Sequence, residues 1–143
     1  MESSERMEII LSDGATKIVF DETVDWLPVT FQRLNRQVFD GSLPAAEVRW
    51  GMIYNPQGFA CLHGCLVESH DALKGPHIFI DRRLRDRGMI LLAELVLLHE
   101  MCHFKAPNHD TTFVKQLLRA LQRVSWEPLV GRCMPWEIPG LDD

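Results

Sequence analysis

The stretch LLHEMCHFKAPNH, residues 97 to 109, places His99, Glu100 and His103 inside an apolar run that opens GMILLAELV. On an α-helix, positions i and i+4 stack one above the other, so His99 and His103 project from the same face. Two imidazoles so placed can reach one zinc ion, because zinc–nitrogen bonds are about 2.0–2.1 Å long. Glu100 lies one residue further round, too far to share that direction as a third ligand but well placed to hold a water on the metal. This is the H-E-x-x-H arrangement, in which the metal acidifies a water and the glutamate takes its proton.

A catalytic zinc site ordinarily has three protein ligands and one open position. His109 follows His103 by six residues, beyond the helix breaker Pro107 and the turn former Asn108. That break lets the chain double back, so His109, at the mouth of the next helix, is the expected third ligand. The bland alternative is a helix whose polar residues match the motif by chance. It would bury a glutamate and two histidines without a metal, which is costly. The expected cofactor is therefore Zn2+, with His99, His103 and His109 as ligands and Glu100 as catalytic general base.

These residues need a scaffold. The chain has 143 residues, 46% apolar and 24% charged, enough for one globular domain over 1–143 with a real core. MEIILSDGATKIVF reads as two apolar runs around Asp13-Gly14, a hairpin or terminal arm within residues 1–20. DETVDWLPVTFQRLNRQVF spaces Trp26, Leu27, Phe31, Leu34 and Val38 as a helix, with Asp25 as cap and Pro28 tolerable in the first turn, ending before the turn DGSLP. AEVRWGMIY alternates as a strand. FACLHGCLVE reads as another, with Phe59, Cys61, His63, Cys65 and Val67 on one side. SHDALKG is a loop, and PHIFID a short strand ending at Asp81. A helix from about Gly88 to Lys105 is apolar nearly all round and stops at Pro107. HDTTFVKQLLRALQRV is a last amphipathic helix that turns Phe113, Leu117, Leu118, Leu121 and Val124 inward. The proline-rich tail, 127–143, is expected to lie over the surface, with Trp136 a candidate anchor. The expected class is α+β, a small mixed sheet packed on the active-site helix and two further helices.

LLHEMCHFKAPNHDTTF resembles the SprT-like family of small zinc metalloproteases, whose metal helix is followed by a His–small–x–x–Phe segment, here HDTTF with Asp110 at the small position. LNRQVFDGSLPAAEVRWG is similar to that family's opening helix, turn and first strand, and HIFID to the strand before the metal helix. The likeness covers about residues 24–126. It implies a zincin-like fold, peptide-bond cleavage, zinc on His99, His103 and His109, and Glu100 as base. Longer members carry a C-terminal zinc ribbon of paired cysteines, and some degrade proteins crosslinked to DNA. After the catalytic region only Cys133 is present here, so no such ribbon is expected.

In zincins, substrate lies antiparallel to an edge strand near the metal, and a polar side chain stabilises the oxyanion. His63, Tyr54 and His70 are the candidates for that contact. Cys61, His63 and Cys65 invite a second metal site, but donors at about 6.6 Å steps along one strand diverge too widely to chelate one ion. Cys102 points away from Glu100 and is expected in the core. Glu94 and Asp110 are candidates to orient a ligand imidazole, against surface or capping roles. The expected function is metallopeptidase action on a protein or peptide. The alternative is a zinc-binding module of the same fold that does not cleave, or cleaves only when a partner completes its groove.

Composition excludes other classes. No apolar run is long enough to cross a membrane, MESSERMEII lacks a secretory n-region and apolar core, and four cysteines without a staple pattern fit the reducing cytoplasm. The net charge is −5, and the arginines of DRRLRDR are interleaved with aspartates as in a solvated turn. Non-specific DNA binding needs several clustered cations, so DNA is not an expected partner.

Overall fold

The computed structural model describes residues 6–21, 25–55, 57 and 63–124. Asp13 folds the first segment on itself. Its carboxylate accepts the Ala15 and Thr16 amide hydrogens at 2.8 and 2.9 Å and the Thr16 hydroxyl at 2.6 Å. The flanking runs pair antiparallel as β1 (Arg6–Ile10) and β2 (Lys17–Asp21). This hairpin is no loose arm: β2 pairs in turn with β3 (Glu47–Tyr54), so the hairpin is part of the sheet.

Helix α1 (Leu27–Phe39) starts with Trp26 at its N-cap, and Pro28 occupies the first turn, where a missing N–H costs nothing. Asp25, expected as the cap, acts from one residue earlier. It accepts the Leu27 amide at 3.0 Å, and its other oxygen takes the indole N–H of Trp50. The helix stops at DGSLP as expected, with Asp40 in the left-handed region (φ 55°). The Asn35 side chain pins that turn, donating to the Leu43 carbonyl at 3.2 Å and accepting its amide at 3.1 Å.

Strands β4 (Gly64–Val67) and β5 (His77–Asp81) complete a five-stranded sheet of order β1-β2-β3-β5-β4, parallel between β3 and β5 and antiparallel elsewhere. Strand β5 is buried throughout because both faces of the sheet are covered around it. Ile78 and Ile80 join Val48 and Trp50 beneath the helices, while Phe79 joins Ile9, Ile18, Phe20 and Ile53 on the other face. The alternation of β4 with β5 turns Gly64 and Leu66 to the helical side, and Cys65 and Val67 to the other. The expected strand from Phe59 is described only from Gly64 onward; Phe59 and Cys61 lie outside the described residues.

DRRLRDR, expected as a solvated turn, is the short helix α2 (Arg82–Asp86), capped by Asp81 and anchored by buried Leu84. Helix α3 (Ile90–Cys102) is buried on nearly every side from Ala93 onward, against β4 and β5 and among the other helices. That environment fits its apolar composition, each fully buried leucine or valine contributing about 1.5–3 kcal/mol. It ends at Cys102, not at the expected Lys105. The last turn tightens through bonds from the amides of His103, Phe104 and Lys105 to carbonyls three residues back. Helix α4 (Thr111–Arg123) buries Phe113, Leu117, Ala120 and Leu121, with Leu118 half-buried. The architecture is α+β, a mixed sheet with its helices on the face that carries the larger core. Among the described residues no helix is long and apolar enough to cross a membrane.

Candidate metal centre

The end of α3 and the turn after it bring three imidazoles together. His99 projects from the last full turn of α3, and His103 stands at its C-cap with near-helical angles, which keeps the i, i+4 relation. The turn through Pro107 and Asn108 then returns His109 to them. Its Nε2 lies 3.1 Å from Nε2 of His99 and 3.0 Å from Nε2 of His103. One ligating atom from each residue falls within 4.8 Å of the others, so the three could hold a metal ion.

Donor chemistry agrees with that geometry. The Nδ1 of His103 lies 3.0 Å from the Ala106 carbonyl. A carbonyl only accepts, so Nδ1 carries the proton and Nε2 turns a lone pair inward. Lone pairs crowded at such distances repel unless a proton or a cation lies between them. Two nitrogens on a tetrahedral zinc stand about 3.3–3.4 Å apart, close to the spacing here. Burial, chiefly, and then the charges of His103 and His109 lower the His99 pKa from 6.5 to about 3, so this ring is neutral near pH 7 and has no proton to lose to a metal.

That shift has a measurable consequence in the metal-free protein. Between pH 6.5 and about 3 the unfolded chain protonates His99 and the folded chain does not. Stability is therefore unaffected by His99 above 6.5 and falls as pH drops below it, by up to about 1.4 kcal/mol per pH unit. In chelator, urea midpoints between pH 7 and 4 should show a steeper decline for the wild type than for His99→Gln. Equal slopes would mean that His99 is not buried as a neutral ring.

Glu100 is 4% exposed and lines an open groove of about 400 Å³ with His103, His109, Pro107, the β4 residues Gly64, Cys65 and Leu66, and Glu68 just beyond the strand. Gly64 explains how the strand comes so close. A Cβ there would stand 2.7 Å from Cγ1 of Val96 and 3.2 Å from Oε2 of Glu100. Overpacking of this kind costs about 1–3 kcal/mol. Gly64→Ala should lower the urea midpoint accordingly, and adding Val96→Ala should recover part of the loss. A Gly64→Ala protein as stable as wild type would show that β4 and α3 can separate freely.

Phe113, in the first turn of α4, touches all three imidazoles. Its ring centroid lies 4.8 Å from that of His99, 4.6 Å from His103 and 5.0 Å from His109. Asp110 caps α4 by accepting the Phe113 amide at 3.1 Å, which settles its role as capping. Gly64 was not readable as a site feature, because a glycine in a short strand carries no chemical signal by itself. Phe113 was marked only as an inward-facing residue and the last of the HDTTF segment, with nothing to show that its ring meets the imidazoles.

The other expected contacts lie elsewhere. The Nδ1 of His70 accepts the Ala72 amide at 3.0 Å, so its Nε2–H donates to the Ile10 carbonyl at 2.7 Å. With both nitrogens engaged, His70 pins the loop to the hairpin and lines a second groove beside Ile10. Tyr54 ends β3 with Nζ of Lys17 5.3 Å from its ring centroid, away from the metal groove. His63 precedes β4, its carbonyl accepting the Asp81 amide at 2.8 Å and its Nδ1 3.9 Å from the Asp81 carboxylate. None of the three lines the groove beside Glu100. Glu94 faces Arg33 at 3.4 Å. Cys102 is wholly buried, and burial, with the Glu100 charge, pushes its thiol up to about 12, so it stays protonated at neutral pH and packs in the core. Cys133, Trp126 and Trp136 lie outside the described residues. Among the described residues His99, His103 and His109 are the one group of three or more His, Cys, Asp or Glu side chains disposed to hold a metal ion. No protein-family model, curated protein or solved structure matches this chain.

Proposed function

We propose that the chain is a zinc metallopeptidase of the SprT-like kind, acting on proteins or peptides in the cytoplasm. One observation carries the reading: three imidazole nitrogens converge, and two of the rings, His103 and His109, line a groove that also contains a buried glutamate and runs beside an edge strand. Three imidazoles suit zinc, a borderline ion that favours nitrogen donors and leaves a fourth position open. When bound, zinc supplies Lewis acidity toward the scissile carbonyl and the attacking water. Glu100 accepts that water's proton and passes it to the leaving amine as the bond breaks. An extended substrate segment lies along β4, where backbone groups of the strand hold it by main-chain hydrogen bonds.

A quenched fluorogenic casein, incubated with pure protein with and without chelator, tests the proposal. Cleavage should appear with zinc, vanish with chelator and return when zinc is restored. A protein that holds zinc yet leaves casein, and a panel of unfolded proteins, intact would favour a non-cleaving or partner-activated module.

A further inference from the structure

We propose that Phe113 is a positioning residue of the metal centre, fixing the directions of the three imidazoles and strengthening metal binding beyond its part in core packing. The proposal rests on the metal-site reading above. The histidines arrive from two segments, His99 and His103 from the last turn and C-cap of α3 and His109 from the turn before α4, and the Phe113 ring bridges them. Its own placement is firm. The side chain is 4% exposed, and its amide is held by the Asp110 cap.

The angles matter as much as the distances. His103 lies nearly parallel to the phenyl ring at 24°, while His99 and His109 meet it at 61° and 87°. A phenyl ring has an electron-rich face and an electron-poor edge. An imidazole that gives its lone pair to a cation becomes electron-poor, so its contact with the π face strengthens, as in a cation–π pair. The stacked contact with His103 is therefore stronger in the metal-bound form than in the metal-free form, and a group that favours the bound form raises affinity by linkage. An aliphatic side chain of similar volume fills the space but has no quadrupole, and it leaves the imidazoles freer to turn about χ2.

The test measures zinc affinity of the full chain by competition with a chromophoric chelator, and the visible absorption of the Co2+-loaded protein. Phe113→Leu removes the ring while staying apolar, and Phe113→Tyr keeps it. Leu121→Ala is the packing control, a buried α4 residue two turns further on. Urea midpoints in chelator report folding of each variant, and Phe113→Met replaces the leucine variant if that one does not fold. We expect Phe113→Leu to bind zinc at least about tenfold more weakly, with a shifted Co2+ spectrum, the scale seen when a group orienting a ligand is lost. Phe113→Tyr should stay within about threefold of wild type because its ring is retained. Leu121→Ala should lower the urea midpoint yet also stay within about threefold in affinity. Wild-type affinity in Phe113→Leu, or an equal loss in Leu121→Ala, would overturn the role of Phe113 alone. A wild-type protein that binds no metal would overturn the metallopeptidase reading and this proposal together.

Discussion

Glu100→Gln should leave a folded, zinc-loaded protein that does not cleave. Glutamine keeps the length and volume of glutamate, so it preserves the close approach of Gly64 to α3, where the glycine's Cβ position lies 3.1 Å from Cγ of Glu100. What it lacks is a basic oxygen. Loss of a general base lowers turnover by about 10²–10⁴-fold, while binding of metal to the histidines is untouched. Alanine would be less informative, because it also opens space beneath β4 and confounds chemistry with packing. Glu100→Asp is a useful companion, since it keeps the charge but withdraws it by one methylene, and it should cut turnover with zinc content unchanged. The measurements are casein cleavage, zinc per chain and the far-ultraviolet circular dichroism of the same preparations. Undiminished cleavage by the glutamine variant would assign the activity to another group or to a contaminant.

His109→Ala should lose zinc and, with it, the stabilising effect of zinc. Removing one of three protein ligands weakens the site by more than the roughly 10–100-fold lost with an orienting partner. In the wild type, free zinc at about 1,000 times its dissociation constant adds about 4 kcal/mol by mass action. For a chain of this size that corresponds to roughly 10 °C in melting temperature. Chelator should therefore lower the wild-type melt by about that amount and leave the variant's melt where it stands. The ligand set spans only residues 99 to 109, so an unfolded chain retains part of its zinc affinity, which trims the shift. A His109→Ala protein that keeps stoichiometric zinc would remove His109 from the centre.

The histidine cluster was legible because it is local. Eleven consecutive residues contain His99, His103 and His109, and the i, i+4 rule with one helix break is enough to bring them together. The elements were legible where a period or a turn residue marks them, as in the Asp13 hairpin and the stop of α1 at Asp40. The end of α3 was not. Pro107 marks the last residue at which a helix must stop, whereas the chain leaves the helix at Cys102 because the turn that returns His109 must begin earlier. The candidate oxyanion contacts show a different limit of local reading. A histidine in a polar loop looks available, but the partner that occupies His70 is the carbonyl of Ile10, sixty residues away in sequence. Gly64 and Phe113 belong to the same class, since their importance lies in what they approach across the fold.

Gly64 also bears on any attempt to engineer this protein. Glycine is a poor strand former, and β4 is a four-residue strand at the edge of the sheet. A search for thermostabilising substitutions would therefore single out this position for a β-branched residue. The same exchange would drive a side chain into Val96 and Glu100. The wall of the groove is thus kept weak by its closeness to α3, and local strand propensity and long-range packing pull this one position in opposite directions.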